Sequence, residues 1–484
     1  MKYRWLLKAI LVSFFWMGCS PPTTNQETPV TSEEKATEND VDAGSKQGPE
    51  LSTEKEATPE QNETPELVPE APKPITHQTQ KCTQEGIERL SLPFYYDRKD
   101  SPRFVYHYLR RKNASPDATT IIILPGGPGQ RNIQVDRIQS PIGSIPLFQF
   151  HQIQTDLRGA GCNTKREEHF PHDFFQSRYA ARDILAIIKD LETKQKKPLR
   201  YILYGGSYGA LHATIVTSLA EKEGITPPQA VVLEGVPGVM PSFEQHVKNY
   251  QKQWNDLKAT LPEEWKKKFD TNQLPYGSTK AWGHFVFQML IQGSIPNQGN
   301  PIHSYFGPFS VNRLKSIIGQ MEQQAKAVET GRLPLAFTVI ACREMWGSFR
   351  QIKEVKDGNY NSYGPDICEQ EKIKPLTQHY DPKDWPINKT PIVYFQGTRD
   401  PATPLSGARY HFESQTKALR YFVTVQNVAH PVLTMALRFK VCSVPIWKAI
   451  DKLQQDPKQL EAALKICKYE KDYTTSLEIQ QPKP

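Results

Sequence analysis

The feature that most constrains this chain is a succession of short apolar runs alternating with stretches of helical periodicity. The runs are RFVYHYL (103–109), TTIIIL (119–124), FQFHQIQ (148–154), RYILY (200–204), AVVLEG (230–235), PIVYFQG (391–397) and RYFVTVQ (420–426). Most are apolar at consecutive positions, as strands covered on both faces must be. Between them, SRYAARDILAIIKDLETKQ (177–195) places apolar residues at 180, 184, 185, 187, 188 and 191, one face of an amphipathic helix. LHATIVTSLAEKEG (211–224) has helical spacing and closes on a glycine, and SGARYHFESQTKA (406–418) and PVLTMALRFKVCSVPIWKAIDKLQ (431–454) follow later runs. Strands alternating with helices specify an α/β fold, a mostly parallel sheet with helices on both faces.

The alternation stops between residues 238 and 385. That region holds helical stretches such as FEQHVKNYQKQWNDLKATL, WGHFVFQMLIQG and VNRLKSIIGQMEQQAKAVETG, with no strand series. The reading is a core of 81–237 and 386–484 interrupted by a helical cap, 238–385. Such a cap would lie over the C-terminal edge of the sheet, where ligands bind in open α/β folds.

The N-terminus has a different character. MKYRWLLK is basic and AILVSFFWMG is apolar but too short to span a bilayer. It ends at WMGCS, which resembles a lipoprotein signal (1–18) cut before Cys19, the residue that would take lipid. Ser20 after the cysteine favours sorting to the outer membrane of a cell envelope, with the bilayer as a partner. Residues 19–80 are rich in Pro, Thr, Glu, Asn and Gln and carry an excess of acidic residues. Such a stretch cannot bury enough apolar surface to offset its ordering entropy, so it reads as a disordered acidic tether. The whole chain has a net charge of +8, so the part beyond the tether is basic. No dense Lys/Arg cluster is interleaved with aromatics, however, and KKK at 266–268 reads as a solvated helix face; nucleic acid is not an expected partner.

The corner YGGSYGA (204–210) carries the chemistry. Gly205-x-Ser207-x-Gly209 stands between a strand and a helix, where small flanking residues let a serine sit exposed on a tight turn. The backbone N–H of Tyr208 would face a developing oxyanion. LPGGPG (124–129) follows the strand TTIII, and a backbone N–H there, at Gly127 or a neighbour, would be the second donor. A nucleophilic serine needs a base and an orienting acid. Asp400 in YFQGTRDPATP (394–404) and His430 in VTVQNVAHPVL (423–433) lie just beyond successive strands, in the order serine, acid, histidine. Asp366, Asp381, Asp384, His151 and His411 are rivals, but none follows a sheet strand in that order. No cofactor or metal is expected, since no CxxC or His/Cys cluster occurs.

LPGGPG, TDLRGAGCN, YGGSYGA, GTRDPATP and NVAHPV, in this order, resemble the prolyl and tripeptidyl aminopeptidase branch of the α/β-hydrolases over roughly residues 85–470. The resemblance implies a serine exopeptidase that removes proline or a tripeptide from free peptide N-termini. Ser207 would be its nucleophile, His430 its general base and Asp400 its orienting acid. An esterase or amidase of the same fold is the alternative. AFTVIACREMWGSF (336–349) resembles the cap segment that carries an ammonium-anchoring glutamate in these enzymes, which falls on Glu344. Glu234, at a strand end, is a second candidate, and Tyr208, Trp346 and Tyr363 are candidate pocket walls. Six cysteines remain beyond Cys19, an even number in an exported chain, which points to three disulfides. The resemblance implies the pairs Cys342–Cys368 and Cys442–Cys467, with Cys82–Cys162 as the remaining pair.

Overall fold

Nine strands form one sheet in the computed structural model, in the order β1-β2-β4-β3-β5-β6-β7-β8-β9. The structure describes residues between 82 and 483, outside which and within which 1–81, 83, 84, 113, 134–148, 165–169, 239–334, 346–367, 369–371, 375, 377–379, 427, 431, 436–439, 457, 467–474 and 484 are left aside. The signal, Cys19, the tether and most of the expected cap therefore lie outside the described residues, as do Trp346, Tyr363, Asp366 and Cys467.

The strands are β1 (Ile87–Pro93), β2 (Arg103–Arg111), β3 (Thr120–Leu124), β4 (His151–Thr155), β5 (Tyr201–Gly206), β6 (Ala230–Glu234), β7 (Ile392–Gly397), β8 (Arg420–Val425) and β9 (Thr475–Gln480). Every pair from β4 through β3, β5, β6 and β7 to β8 is parallel. β1 and β2 join antiparallel at one edge and β9 at the other. Among the described residues the α-helices are α1 (Ser177–Gln195), α2 (Tyr208–Glu223), α3 (Leu335–Ile340), α4 (Leu405–Ser414), α5 (Val432–Met435), α6 (Lys440–Asp451) and α7 (Lys458–Ile466).

The central strands alternate between two cores because successive side chains point to opposite faces. Ile122, Leu203, Leu233 and Tyr394 enter one core with Ile184, Ile188 and Leu191 of α1. Ile121, Ile202, Val232 and Val393 enter the other with Ile446, Trp447 and Leu460 of α6 and α7. A strand buried on both faces has no polar alternation to show, which is why these runs read as continuously apolar. Helix α2 stops at Gly224, whose left-handed conformation (φ 65°) lets its N–H reach Ala220 O.

Two strands went unread in the sequence, β1 (IERLSLP) and β9 (TSLEIQ). Both are edge strands with one or no fully buried residue, so their apolar content is low. Residues 235–391 connect β6 to its direct neighbour β7. Disulfides join Cys82 to Cys162 and Cys342 to Cys368. The expected Cys442–Cys467 pair falls outside the described residues.

Parallel strands put their C-terminal ends on one edge. At that edge β3 leads into LPGGPG, β5 into Ser207, β6 into Gly235, β7 into the Asp400 loop and β8 into the His430 loop. The topology thus gathers five distant sequence segments along one rim.

Candidate active site

Ser207 is the residue between the last of β5 and the first of α2, with φ 56° and ψ −127°. A non-glycine residue at positive φ is strained and persists only when its surroundings enforce it. They do so here by close backbone packing. A side chain on Gly205 would stand 2.0 Å from Gly209 O, and one on Gly209 would stand 2.8 Å from Leu124 O. The Ser207 N–H is held by Glu234 O at 2.8 Å, which ties the corner to β6. Ser207 is half-buried, whereas Tyr208 is fully buried.

Tyr208 opens α2, so its N–H has no partner within the helix, and the positive end of the helix macrodipole lies at the serine. The LPGGPG loop comes against the same corner: a Cβ on Gly126 would lie 3.6 Å from Ser207 Cβ. Gly127 follows with φ 108°. Helix α3 covers this loop, since a Cβ on Gly129 would lie 3.3 Å from Phe337 N.

His430 Nδ1 lies 2.8 Å from Asp400 Oδ2. A carboxylate only accepts, so Nδ1–H donates and Nε2 is left with its lone pair free. Burial pulls the imidazole toward its neutral form. The Asp400 charge and hydrogen bond, with the Glu234 charge, outweigh it, and the pKa lies above the ordinary 6.5. Asp400 is held from four other directions. Its Oδ1 accepts from Ala402 N and Thr403 N, each at 2.9 Å, and its Oδ2 from Thr403 Oγ1 at 2.7 Å and Gln396 Nε2 at 3.2 Å. The two loops are also joined by backbone: Arg399 N donates to Val428 O at 3.0 Å.

Gly235 links this pair to the serine corner. It follows Glu234, which holds the Ser207 N–H, and a Cβ on it would lie 2.8 Å from His430 Cε1 and Nδ1. Its φ of 55° is one that glycine adopts freely. Serine, histidine and aspartate from three strands thus meet around one stretch of backbone.

The rival residues are accounted for elsewhere. His411 is buried in α4, bonded at Nε2 to Thr214 Oγ1 (3.0 Å) and at Nδ1 to Tyr394 OH (2.9 Å), and burial lowers its pKa to about 3. Asp381 accepts from Lys383 N and Tyr410 OH. Asp384 ends the short turn Pro382–Asp384, and His151 opens β4.

Glu344 lies in a turn of π-helix, Ala341–Met345, that continues α3, a local widening frequent at functional sites. It is half-buried. Its Oε1 accepts from Ser177 N at 2.9 Å and its Oε2 from Ser177 Oγ, and that hydroxyl is 2.7 Å from Tyr208 OH. The carboxylate therefore connects, through one serine, to the residue beside Ser207. Burial raises its pKa, opposed by the Ser177 hydrogen bonds and by the charges of Arg343 and Arg178.

Glu234 requires a correction. The expectation that it binds substrate fails on burial, since it is 4% exposed and both carboxylate oxygens are engaged. Oε1 accepts from Leu433 N at 2.7 Å and Oε2 from Tyr204 OH. Sequence reasoning also passed over Gln396, Thr403 and Ser177. Gln396 was readable as the polar side chain that directly follows the run IVYF, and Thr403 as the third residue after an aspartate in a Pro-rich turn. Nothing in the sequence marked Ser177, whose partners are 31 and 167 residues away.

The α/β hydrolase fold family matches residues 119–433, and the chain belongs to it. No curated protein matches the sequence. Among solved structures, the chain is similar to the serine hydrolase CCSP0084 of Cycloclasticus zankles (13% identity, 77% of this chain and 100% of that one, TM-score 0.40). It is also similar to the esterase RhEst1 of Rhodococcus sp. ECU1013 (14%, 76% and 99%, 0.39). A third is MGS-M2, an α/β hydrolase from a Medee basin deep-sea metagenome (12%, 75% and 94%, 0.36). These likenesses are slight and carry nothing about substrate.

Proposed function

We propose that this α/β hydrolase is a serine exopeptidase of the cell envelope, releasing proline or a tripeptide from free peptide N-termini. Ser207 Oγ attacks the scissile carbonyl carbon and passes its proton to His430 Nε2, while Asp400 holds the ring and stabilises the imidazolium. The oxyanion is received by the N–H of Tyr208 and one from the loop at Gly127. The C–N bond then breaks as His430 returns the proton to the leaving amine. Water repeats the sequence on the acyl-enzyme.

The observation that carries the aminopeptidase reading is Glu344. It is a half-buried carboxylate one residue's contact from Tyr208, and among the described residues no Lys or Arg forms an ion pair with it. The charges of Arg343 and Arg178 favour its ionised form without a direct ion pair, and a substrate ammonium would supply the direct counter-cation. One observation favours an esterase or amidase instead: both Glu344 oxygens already accept bonds from Ser177, as a structural cap of α1 would. Attachment to the outer membrane through lipid on Cys19 rests on the WMGCS sequence and the acidic tether.

Matched peptide amides with free and acetylated N-termini, starting Pro-, Ala- and Ala-Ala-Pro-, test the reading. Cleavage of the free forms alone supports it, and their relative rates separate release of one residue from release of three. Equal cleavage of blocked forms, or turnover of simple esters only, favours the esterase reading.

A further inference from the structure

The geometry points to Glu234 as a positioning residue that ties the Ser207 corner to the His430 loop and adds a second buried negative charge beside the imidazole. The inference rests on the triad reading above.

Glu234 touches both halves of the site with different atoms. Its main-chain oxygen holds the Ser207 N–H at 2.8 Å. Its Oε1 accepts from Leu433 N at 2.7 Å, three residues past His430, at the start of α5. That N–H is one of the helix-terminal donors that lack an intrahelical acceptor. Its Oε2 accepts from Tyr204 OH, and Tyr204 precedes Ser207 by three residues on β5. The next residue, Gly235, lies against the His430 ring.

Orienting the ring does not require this carboxylate, because Asp400 already fixes Nδ1. What Glu234 adds is charge. Among the described residues no Lys or Arg pairs with it; the titratable groups around it are Tyr204 from β5 and His430 and Asp400 from the two loops. A buried charge left without a cation is costly, and the imidazolium formed during attack supplies one. Burial raises Glu234 to about 7, opposed by the Tyr204 and Leu433 bonds and by His430, with Asp400 adding to the rise. Glu234 and His430 therefore each favour the charged form of the other, as a coupled pair.

The test is Glu234→Gln, which keeps the size and an oxygen to accept from Leu433 N, turns the Tyr204 contact round so that the amide NH2 donates to the phenol oxygen, and removes the charge. The readouts are the pH profiles of fluorophosphonate labelling and of kcat/KM for p-nitrophenyl acetate. The acidic limb is expected to move to lower pH by about half a unit or more, because the imidazolium loses an attractive charge. A limb that stays in place, with only a lower plateau or lower stability, would overturn the inference. Tyr204→Phe removes one donor to the carboxylate and favours its protonation; it should move the limb the same way by less, and it carries the test if the glutamine variant does not fold. Ser207→Ala separates the two claims. Labelling that survives it overturns the triad reading itself, whereas labelling abolished by it with an unmoved Glu234→Gln limb overturns only the role of Glu234.

Discussion

Gly235→Ala should disable catalysis while leaving the fold nearly intact, and its magnitude follows from the site geometry. An alanine Cβ at this position would stand 2.8 Å from His430 Cε1 and Nδ1 and 3.3 Å from Asp400 Oδ2. Ordinary contact begins near 3.4 Å, so the ring must retreat by about 0.6 Å. A misplacement of about 1 Å in a reacting constellation costs about 100-fold, so a kcat loss of roughly 10- to 100-fold is expected. The left-handed backbone adds about 1 kcal/mol of destabilisation for alanine, which in a domain of this size lowers Tm by less than about 4 °C. Steady-state turnover of an activated ester, measured beside a thermal melt, reads both effects. Unchanged kcat with the small loss of Tm would mean that the histidine beside Gly235 is not the base. A melt lowered by far more would mean that the loss is one of folding.

Three further outcomes are expected. Since Asp400 and Glu234 outweigh burial and hold His430 above 6.5, the acidic limb of kcat/KM should lie above pH 6.5, activity being lost as pH falls and the base takes a proton; a limb at lower pH contradicts this. Asp183→Asn should cost about 3–5 kcal/mol in chemical denaturation with turnover per folded molecule unchanged, because it strands a fully buried guanidinium: Arg158 Nε and Nη2 both bond Asp183, at 2.8 and 2.6 Å. Cys82→Ser should cost about 2–4 kcal/mol, since the bond to Cys162 closes a loop of 80 residues, and reductant should destabilise the variant, which keeps Cys342–Cys368, by less than the unaltered protein.

How far the sequence reached depended on what each residue's signal was. The middle of the sheet was legible because strands buried on both faces must be apolar throughout, and α1 because its core face recurs at helical spacing over five turns. β1 and β9 were not, because an edge strand can be half polar and still pair by backbone alone. Ser207, Asp400 and His430 were legible because each follows a strand of a parallel sheet, and parallel strands deliver their ends to one rim. Glu234 met the same criterion, yet turns inward. Its fate is decided by Tyr204 on the neighbouring strand and Leu433 beyond the next loop, 30 and 199 residues away. Position at the rim is written locally, whereas the direction of a side chain depends on partners that only the fold brings near. Ser177 and Glu344 are joined in the same non-local way.

The most direct measurement is the intact mass and tryptic map of the protein after reaction with a fluorophosphonate. One adduct per chain is expected, on the peptide containing Ser207, formed faster as pH rises through the His430 titration and absent from Ser207→Ala. An adduct on another serine, or none while esters and peptides still turn over, would contradict a nucleophile at this corner.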